Sequence, residues 1–223
     1  MFQEEMEMRF NRNYWIISIL LMVVLLVIGV WVVRILGGNM PYIDVWTRGP
    51  VELLSDTVIY TIFRNITELG SQWFLVPFVI TAGIIIWIVY KDWLPAFIFS
   101  GGTLLSHGLN LLIKHLVERE RPRILEAANA EGHSFPSGHA MISMVCYGLL
   151  AYFIVNRIAS AKLKMAVQIF FSILIFLIGI SRYIINVHFL TDIISGFVIG
   201  FLLLVGLIYL YESLRRRKSR SGD

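Results

Sequence analysis

The chain has 223 residues, 57% of them hydrophobic and only 15% charged, with a formal charge of +4, a mean hydropathy of +0.75 and a pI near 9.3. Soluble domains run to about 45–50% apolar and about 25% charged residues, so this composition excludes an ordinary water-soluble domain and points to an integral membrane protein. The single cysteine, Cys146, excludes an internal disulfide and a cysteine-cluster metal site; inside an apolar run it reads as a packing residue.

A membrane helix needs about 20 mostly apolar residues. The first such run is Tyr14–Leu36. It exceeds the roughly 7–15 residues of a signal-peptide core and no small-x-small site follows, so a retained helix is predicted. The connector 37–72 is long and carries apolar stretches such as "PVELLSDTVIYTIF". It reads as one or two short helices lying at the interface. Further spans follow at Trp73–Tyr90, Leu94–Val117, Ala140–Val155, Met165–Tyr183 and Phe189–Tyr211. The fourth is short and reaches spanning length if its first turn starts back at Ser137, giving 137–155. Backbone polar groups in lipid must be satisfied internally, so each run should be helical. Trp15, Trp73, Tyr90, Trp93, Tyr209 and Tyr211 mark span ends, where aromatic residues favour the headgroup region. The predicted fold is therefore all-α, a single membrane domain over 1–223 built as a six-helix transmembrane bundle. A basic tail, 212–223, closes the chain, and its last eight or so residues read as disordered and held near anionic lipid.

Six spans put both termini on one side. That side collects 11 Lys and Arg residues, five of them in "LRRRKSR", against 8 on the other: Arg34, Arg48, Arg64, Lys114, Arg119, Arg121, Arg123 and Arg182. The positive-inside rule then places both termini in the cytoplasm of a multi-pass protein of the cell membrane.

Ionisable groups at membrane helices are costly and tend to be functional. Here they concentrate in three stretches on the predicted outer face. In "KHLVERERPR", Lys114 shares a helix face with His107 and Asn110, and Pro122 stops the helix with Arg121 pushed toward extended backbone. Alone, this stretch also reads as a snorkelling lysine and a basic loop at the headgroups. In "EGHSFPSGHAM", Pro136-Ser137-Gly138-His139 precedes an apolar run and looks like a helix start with a serine cap. A helix N-terminus also suits a phosphate; Gly138 permits close backbone approach, Ser137 adds a hydroxyl, and His139 can exchange a proton near neutral pH. In "SRYIINVHFLTD", His188 and Asp192 stand four apart and share a face, beside Ser181 and Arg182. A carboxylate on one ring nitrogen fixes the tautomer and leaves the other nitrogen for base or nucleophile chemistry. Gly196 and Gly200 continue that face as a close-packing pattern.

Together these are three cations (Lys114, Arg121 and Arg182), two histidines, a paired carboxylate and a glycine-containing helix start. Guanidinium forks match phosphate oxygens, and fixed cations and N–H groups stabilise the charge that phosphoryl transfer spreads over its equatorial oxygens. With no acidic cluster for a metal, a cationic cage takes the place of magnesium.

Three elements, K-x6-R-P at Lys114 to Pro122, P-S-G-H at 136–139 and S-R-x5-H-x3-D at Ser181 to Asp192, stand in order. In them the chain resembles the type 2 phosphatidic acid phosphatases (PAP2), membrane lipid phosphatases with a site similar to that of vanadium haloperoxidases. The likeness runs from about Gly101 to Tyr211. It implies that His188 is the nucleophile that becomes phosphorylated and that Asp192 orients it. His139 would protonate the leaving oxygen and then activate water. Lys114, Arg121, Arg182, Ser137 and Gly138 would hold the phosphate, with a minor part for Ser181. It further implies no metal or other cofactor, no nucleic acid and no obligate protein partner, only a lipid phosphate arriving through the bilayer. Phosphatidylglycerophosphate and undecaprenyl pyrophosphate are the favoured substrates, with phosphatidate as alternative. His107, Asn110, His115 and His133 fall outside the motifs and read as structural or as supports behind the site residues. An anion transporter, a lipid-binding protein and a vanadate oxidase are competing readings. Cations gathered at helix ends, rather than along a midplane path, disfavour the first. An intact His–Asp pair disfavours the second. Six spans with no vanadium-related feature disfavour the third.

Overall fold

A computed structural model describes residues 2–54, 57–122 and 132–220, and among them the regular structure is entirely helical. Two compact units emerge, residues 1–41 and Tyr42 onward. The first holds α1 (Phe2–Leu36), whose segment Ser18–Leu36 is long and apolar enough to cross a membrane and bears exposed apolar side chains such as Leu26 and Val33.

The second unit opens with α2 (Tyr42–Glu52), α3 (Val58–Thr67) and a 3-10 turn (Glu68–Gly70), so two short helices occupy the connector. Then come α4 (Gln72–Tyr90), α5 (Trp93–Val117), α6 (Gly138–Val155), α7 (Ala161–Ile184) and α8 (Leu190–Arg220), each long and apolar enough to cross a membrane. Local chemistry sets the boundaries. Thr57, Ser71, Ser137 and Ser160 cap the starts of α3, α4, α6 and α7 by accepting a backbone N–H three residues on. Asp92 caps α5 by accepting from the Leu94 N–H at 3.2 Å. Lys91 and Glu118 end α4 and α5 in the left-handed region, at φ 53 and 49.

Helix α6 is central: α5, α7 and α8 all pack on it, α4 lies against α5, and α3 lies against α7. The core is aromatic and aliphatic, with Phe99, Val145, Leu149, Phe153 and Ile178 fully enclosed. Cys146 is buried there as a packing residue. The α6–α8 contact is close because two glycines allow it. A Cβ on Gly196 would stand 2.7 Å from the Ser137 carbonyl oxygen, and one on Gly200 would stand 2.7 Å from that of Met141. This is the close packing expected of the Gly196/Gly200 pair.

The C-terminal end departs from expectation. Instead of a disordered tail, α8 runs on through Arg220. Arg215, Arg216 and Arg217 are good helix formers and suit the negative end of the helix dipole. Lys218 Nζ donates to Asp92 Oδ1 at 2.9 Å, tying the extension to the start of α5. Arg123, counted among the cations of the far side, and residues 221–223 lie outside the described residues.

Candidate active site

The three motif stretches meet at one end of the second unit. Lys114 comes from the last turn of α5, Arg121 from the segment after it, Gly138 and His139 from the first turn of α6, Arg182 from the last turn of α7, and His188 from the turn before α8. All six line one cavity of about 630 Å³. The chain brings them together because the C-terminal ends of α5 and α7 and the N-terminal ends of α6 and α8 share that side of the bundle. The first N–H groups of a helix have no intrahelical partner, so the start of α6 presents positive charge to the cavity at Gly138 and His139.

His188 is held at both ring nitrogens. Nδ1 lies 3.3 Å from Asp192 Oδ2, and Nε2 lies 3.1 Å from Arg121 Nη1. A guanidinium can only donate, so Nε2 accepts and carries the lone pair. Nδ1 therefore bears the proton and donates to Asp192. Burial pushes the His188 imidazole well below its ordinary range, and the charges of Arg121, Arg182 and Lys114 add to the effect. It is a neutral imidazole with a lone pair facing cations, as a nucleophile toward phosphorus requires.

The cations differ in how far they are committed. Arg121 spends Nε on the Gly132 carbonyl at 2.8 Å and Nη1 on the Val187 carbonyl at 3.0 Å, and burial lowers its pKa. Arg182 is only 6% exposed; Nη1 donates to Thr67 Oγ1 at 3.2 Å, and its buried Nε has no partner among the described residues. Arg182 as a residue lines the cavity wall, and a guanidinium fork there matches an anion's oxygens. Lys114 makes no ion pair among the described residues and is half-buried at the same wall. Among those residues no group of three His, Cys, Asp or Glu could hold a metal ion.

The motif serines sit differently. The Ser137 hydroxyl accepts from the Ala140 N–H at 3.4 Å, and the Ser137 N–H donates to the Asp192 carbonyl at 3.0 Å. Ser137 is fully buried and does not line the cavity. Ser181 is also fully buried and donates to the Ile178 carbonyl at 2.6 Å. Asp192 is enclosed beneath His188. Oδ2 accepts from the Ser134 hydroxyl and from the Phe189 N–H at 2.9 Å. Of the residues outside the motifs, Asn110 is buried and donates to the Pro136 carbonyl at 3.2 Å, steadying the start of α6. His107 lines the cavity, whereas His115 stands exposed near Glu118. Gly70 packs flat on His139, since a Cβ there would come within 2.7 Å of its Cδ2.

Sequence reasoning missed a group behind the pocket. Arg119 Nη1 donates to Asp192 Oδ1 at 2.6 Å and to Thr191 Oγ1 at 2.8 Å, while Nη2 donates to Asp44 Oδ2 at 2.7 Å. Its sole signal was a second arginine inside the K-x6-R-P stretch; Asp44, in the connector, had none.

Comparison with known proteins gives consistent matches. Residues 95–216 match the model of the PAP2 superfamily. Over 146 residues the chain is 35% identical to phosphatidylglycerophosphatase B of Bacillus subtilis (strain 168), an alignment covering 64% of this chain and 70% of that protein. A solved structure described as the first transmembrane PAP2 type phosphatidylglycerolphosphate phosphatase from Bacillus subtilis superposes with a TM-score of 0.74 at 26% identity, covering 84% of this chain and 96% of that one. Aquifex aeolicus LpxE superposes at 0.55 with 22% identity, covering 71% and 92%, a likeness of fold.

Proposed function

The chain belongs to the PAP2 superfamily and is a multi-pass membrane lipid phosphatase, and from that premise we propose that it removes the terminal phosphate of phosphatidylglycerophosphate through a phosphohistidine at His188. The reading rests on one observation above others. His188 has Nδ1 on a buried carboxylate and Nε2 turned to Arg121, in a cavity that His139, Lys114 and Arg182 also line.

In the first step the Nε2 lone pair attacks phosphorus. The N–P bond forms as the P–O bond to the headgroup glycerol breaks, and protonated His139 gives its proton to the leaving oxygen. Asp192 accepts from Nδ1–H and balances the charge that grows on the ring. In the second step His139, now neutral, takes a proton from water. The oxygen attacks phosphorus, the N–P bond breaks, and inorganic phosphate leaves with His139 protonated again. Lys114, Arg121, Arg182 and the N–H groups at the start of α6 stabilise the equatorial oxygens in both steps, which is where most of the rate enhancement is expected to arise. Ser137 acts through the helix start that it caps, and Ser181 through the end of α7. No metal is required in this scheme.

The Bacillus subtilis matches, in sequence and in structure, support the choice of lipid by what their names state. The charge bias supports cytoplasmic termini, a cavity on the outer face and residence in the cell membrane. The lipid then enters laterally, tail in the bilayer and headgroup in the cage.

The test is phosphate release by the purified protein, with a chelator present, from phosphatidylglycerophosphate, undecaprenyl pyrophosphate and phosphatidate, with His188→Ala as blank. Phosphatidylglycerophosphate should give the highest kcat/KM. A preference for either other lipid overturns the substrate, loss of activity on chelation overturns the metal-free scheme, and an active His188→Ala overturns the nucleophile.

A further inference from the structure

Asp192 is the group on which the His188 tautomer depends, and its hydrogen bonds anchor it from behind the cavity. Its Oδ2 accepts from Ser134, Phe189 and His188, and its Oδ1 accepts from Arg119. Arg119 also reaches Asp192 by a second route: its backbone carbonyl accepts from the Ser134 N–H at 2.8 Å, and Ser134 in turn donates its hydroxyl to Oδ2. The guanidinium plane is fixed by Phe189, whose ring centroid lies 3.9 Å from Cζ.

The other end of the fork meets Asp44 of α2. That carboxylate is 1% exposed. It accepts from the Thr191 N–H at 3.0 Å and the Thr191 hydroxyl at 2.6 Å, so it holds the first turn of α8 from outside that helix. Helix α2 is itself pinned, because the Tyr183 hydroxyl donates to the Thr47 carbonyl at 2.5 Å. Two buried carboxylates thus share one guanidinium, and Arg119 does not line the substrate cavity.

We infer that Arg119 is a positioning residue for the phosphatase reaction, dividing its charge between Asp192 and Asp44 so that the carboxylate beneath His188 is fixed in place and only partly neutralised. This rests on His188 being the nucleophile. His188 then lies between a layer of net negative charge (Asp192, Arg119, Asp44) and a layer of positive charge. Facing it are Lys114 from α5, Arg121 from the segment after α5, His139 from α6 and Arg182 from α7, with the Arg64–Glu68 ion pair at the cavity rim. Charges out of water interact strongly, so a change of one unit behind Asp192 is felt at the imidazole. Removing the positive charge of Arg119 makes the ring easier to protonate. Removing the negative charge of Asp44 makes it harder, because Arg119 then serves Asp192 alone.

The experiment compares Arg119→Gln and Asp44→Asn with the parent protein in pH profiles of kcat and KM for phosphatidylglycerophosphate, with melting curves for each. Both variants should lose roughly 10–100-fold in kcat, taking as a guide the loss seen when the outer partner of a metal-bound histidine is removed, with KM unchanged. The acid limb of kcat should move to higher pH in Arg119→Gln and to lower pH in Asp44→Asn. A purely structural role moves melting temperature without opposing shifts of the limb. Unmoved limbs, limbs moving together, or a change confined to KM would overturn the inference. If Arg119→Gln fails to fold, the isosteric Asp44→Asn decides alone: a limb that stays put rejects the idea. An active His188→Ala rejects the nucleophile instead and is scored separately.

Discussion

Adding one methyl group at Gly196 should slow the reaction without touching any residue that lines the cavity. Gly196 lies one turn past Asp192 on α8, and its Cβ would stand 2.7 Å from the Ser137 carbonyl oxygen and 3.0 Å from the Ala140 Cβ. The first distance is about 0.7 Å shorter than the 3.4 Å at which ordinary contact begins. The obstacle is backbone, so the helices must separate rather than a side chain turn aside. That displacement acts on the 3.0 Å bond from the Ser137 N–H to the Asp192 carbonyl, which joins the helix start to the His188–Asp192 turn. Overpacking of this kind costs about 1–3 kcal/mol, and a misplacement near 1 Å costs roughly 100-fold in rate. Gly196→Ala should therefore lose roughly 10–100-fold in kcat and melt at lower temperature. Gly206→Ala, on the same helix with nothing within 4 Å, should keep both. The assay is phosphate release at saturating lipid alongside a thermal melt. A Gly196→Ala protein with parental kcat and melting would refute the claim that close α6–α8 packing sets the site.

Arg182→Lys keeps the charge but loses the planar fork, so kcat should fall about 100–1,000-fold, the usual loss for one fixed donor at a developing charge, read in the same phosphate assay. The pH profile of kcat/KM should place the acid limb of His188 below the ordinary 6.5, because burial and the neighbouring cations favour the neutral ring and the neutral ring is the reactive form. A limb at or above that value would contradict the electrostatics. At the other end of the bundle, Asp92→Asn removes the exposed Lys218 ion pair but retains a good helix cap, so stability should change by no more than about 1 kcal/mol and kcat not at all.

The spans were legible because lipid leaves the backbone no alternative to helix, so apolar length alone marks Gln72–Tyr90 or Trp93–Val117 within a residue or so. The start of α6 was legible from one cap residue, Ser137. Six cavity-lining residues were legible because each stands in a motif with fixed spacing. The length of α8 was not, since a run of arginines reads equally as a solvated tail or a helix end until Lys218 is seen to meet Asp92. The Asp44–Arg119–Asp192 chain was least accessible. It joins residues 75 and 73 positions apart through side chains that no local periodicity connects, and only the packing of α2 on α8 reveals it.

The central claim is that His188 carries the phosphoryl group between lipid and water, and rapid acid-avoiding quench of enzyme mixed with phosphorus-labelled phosphatidylglycerophosphate, followed by peptide mapping, tests it most directly. Label on His188, formed before phosphate is released and absent from His188→Ala, is the expected result. Release of phosphate with no labelled protein, or label on His139, would contradict it.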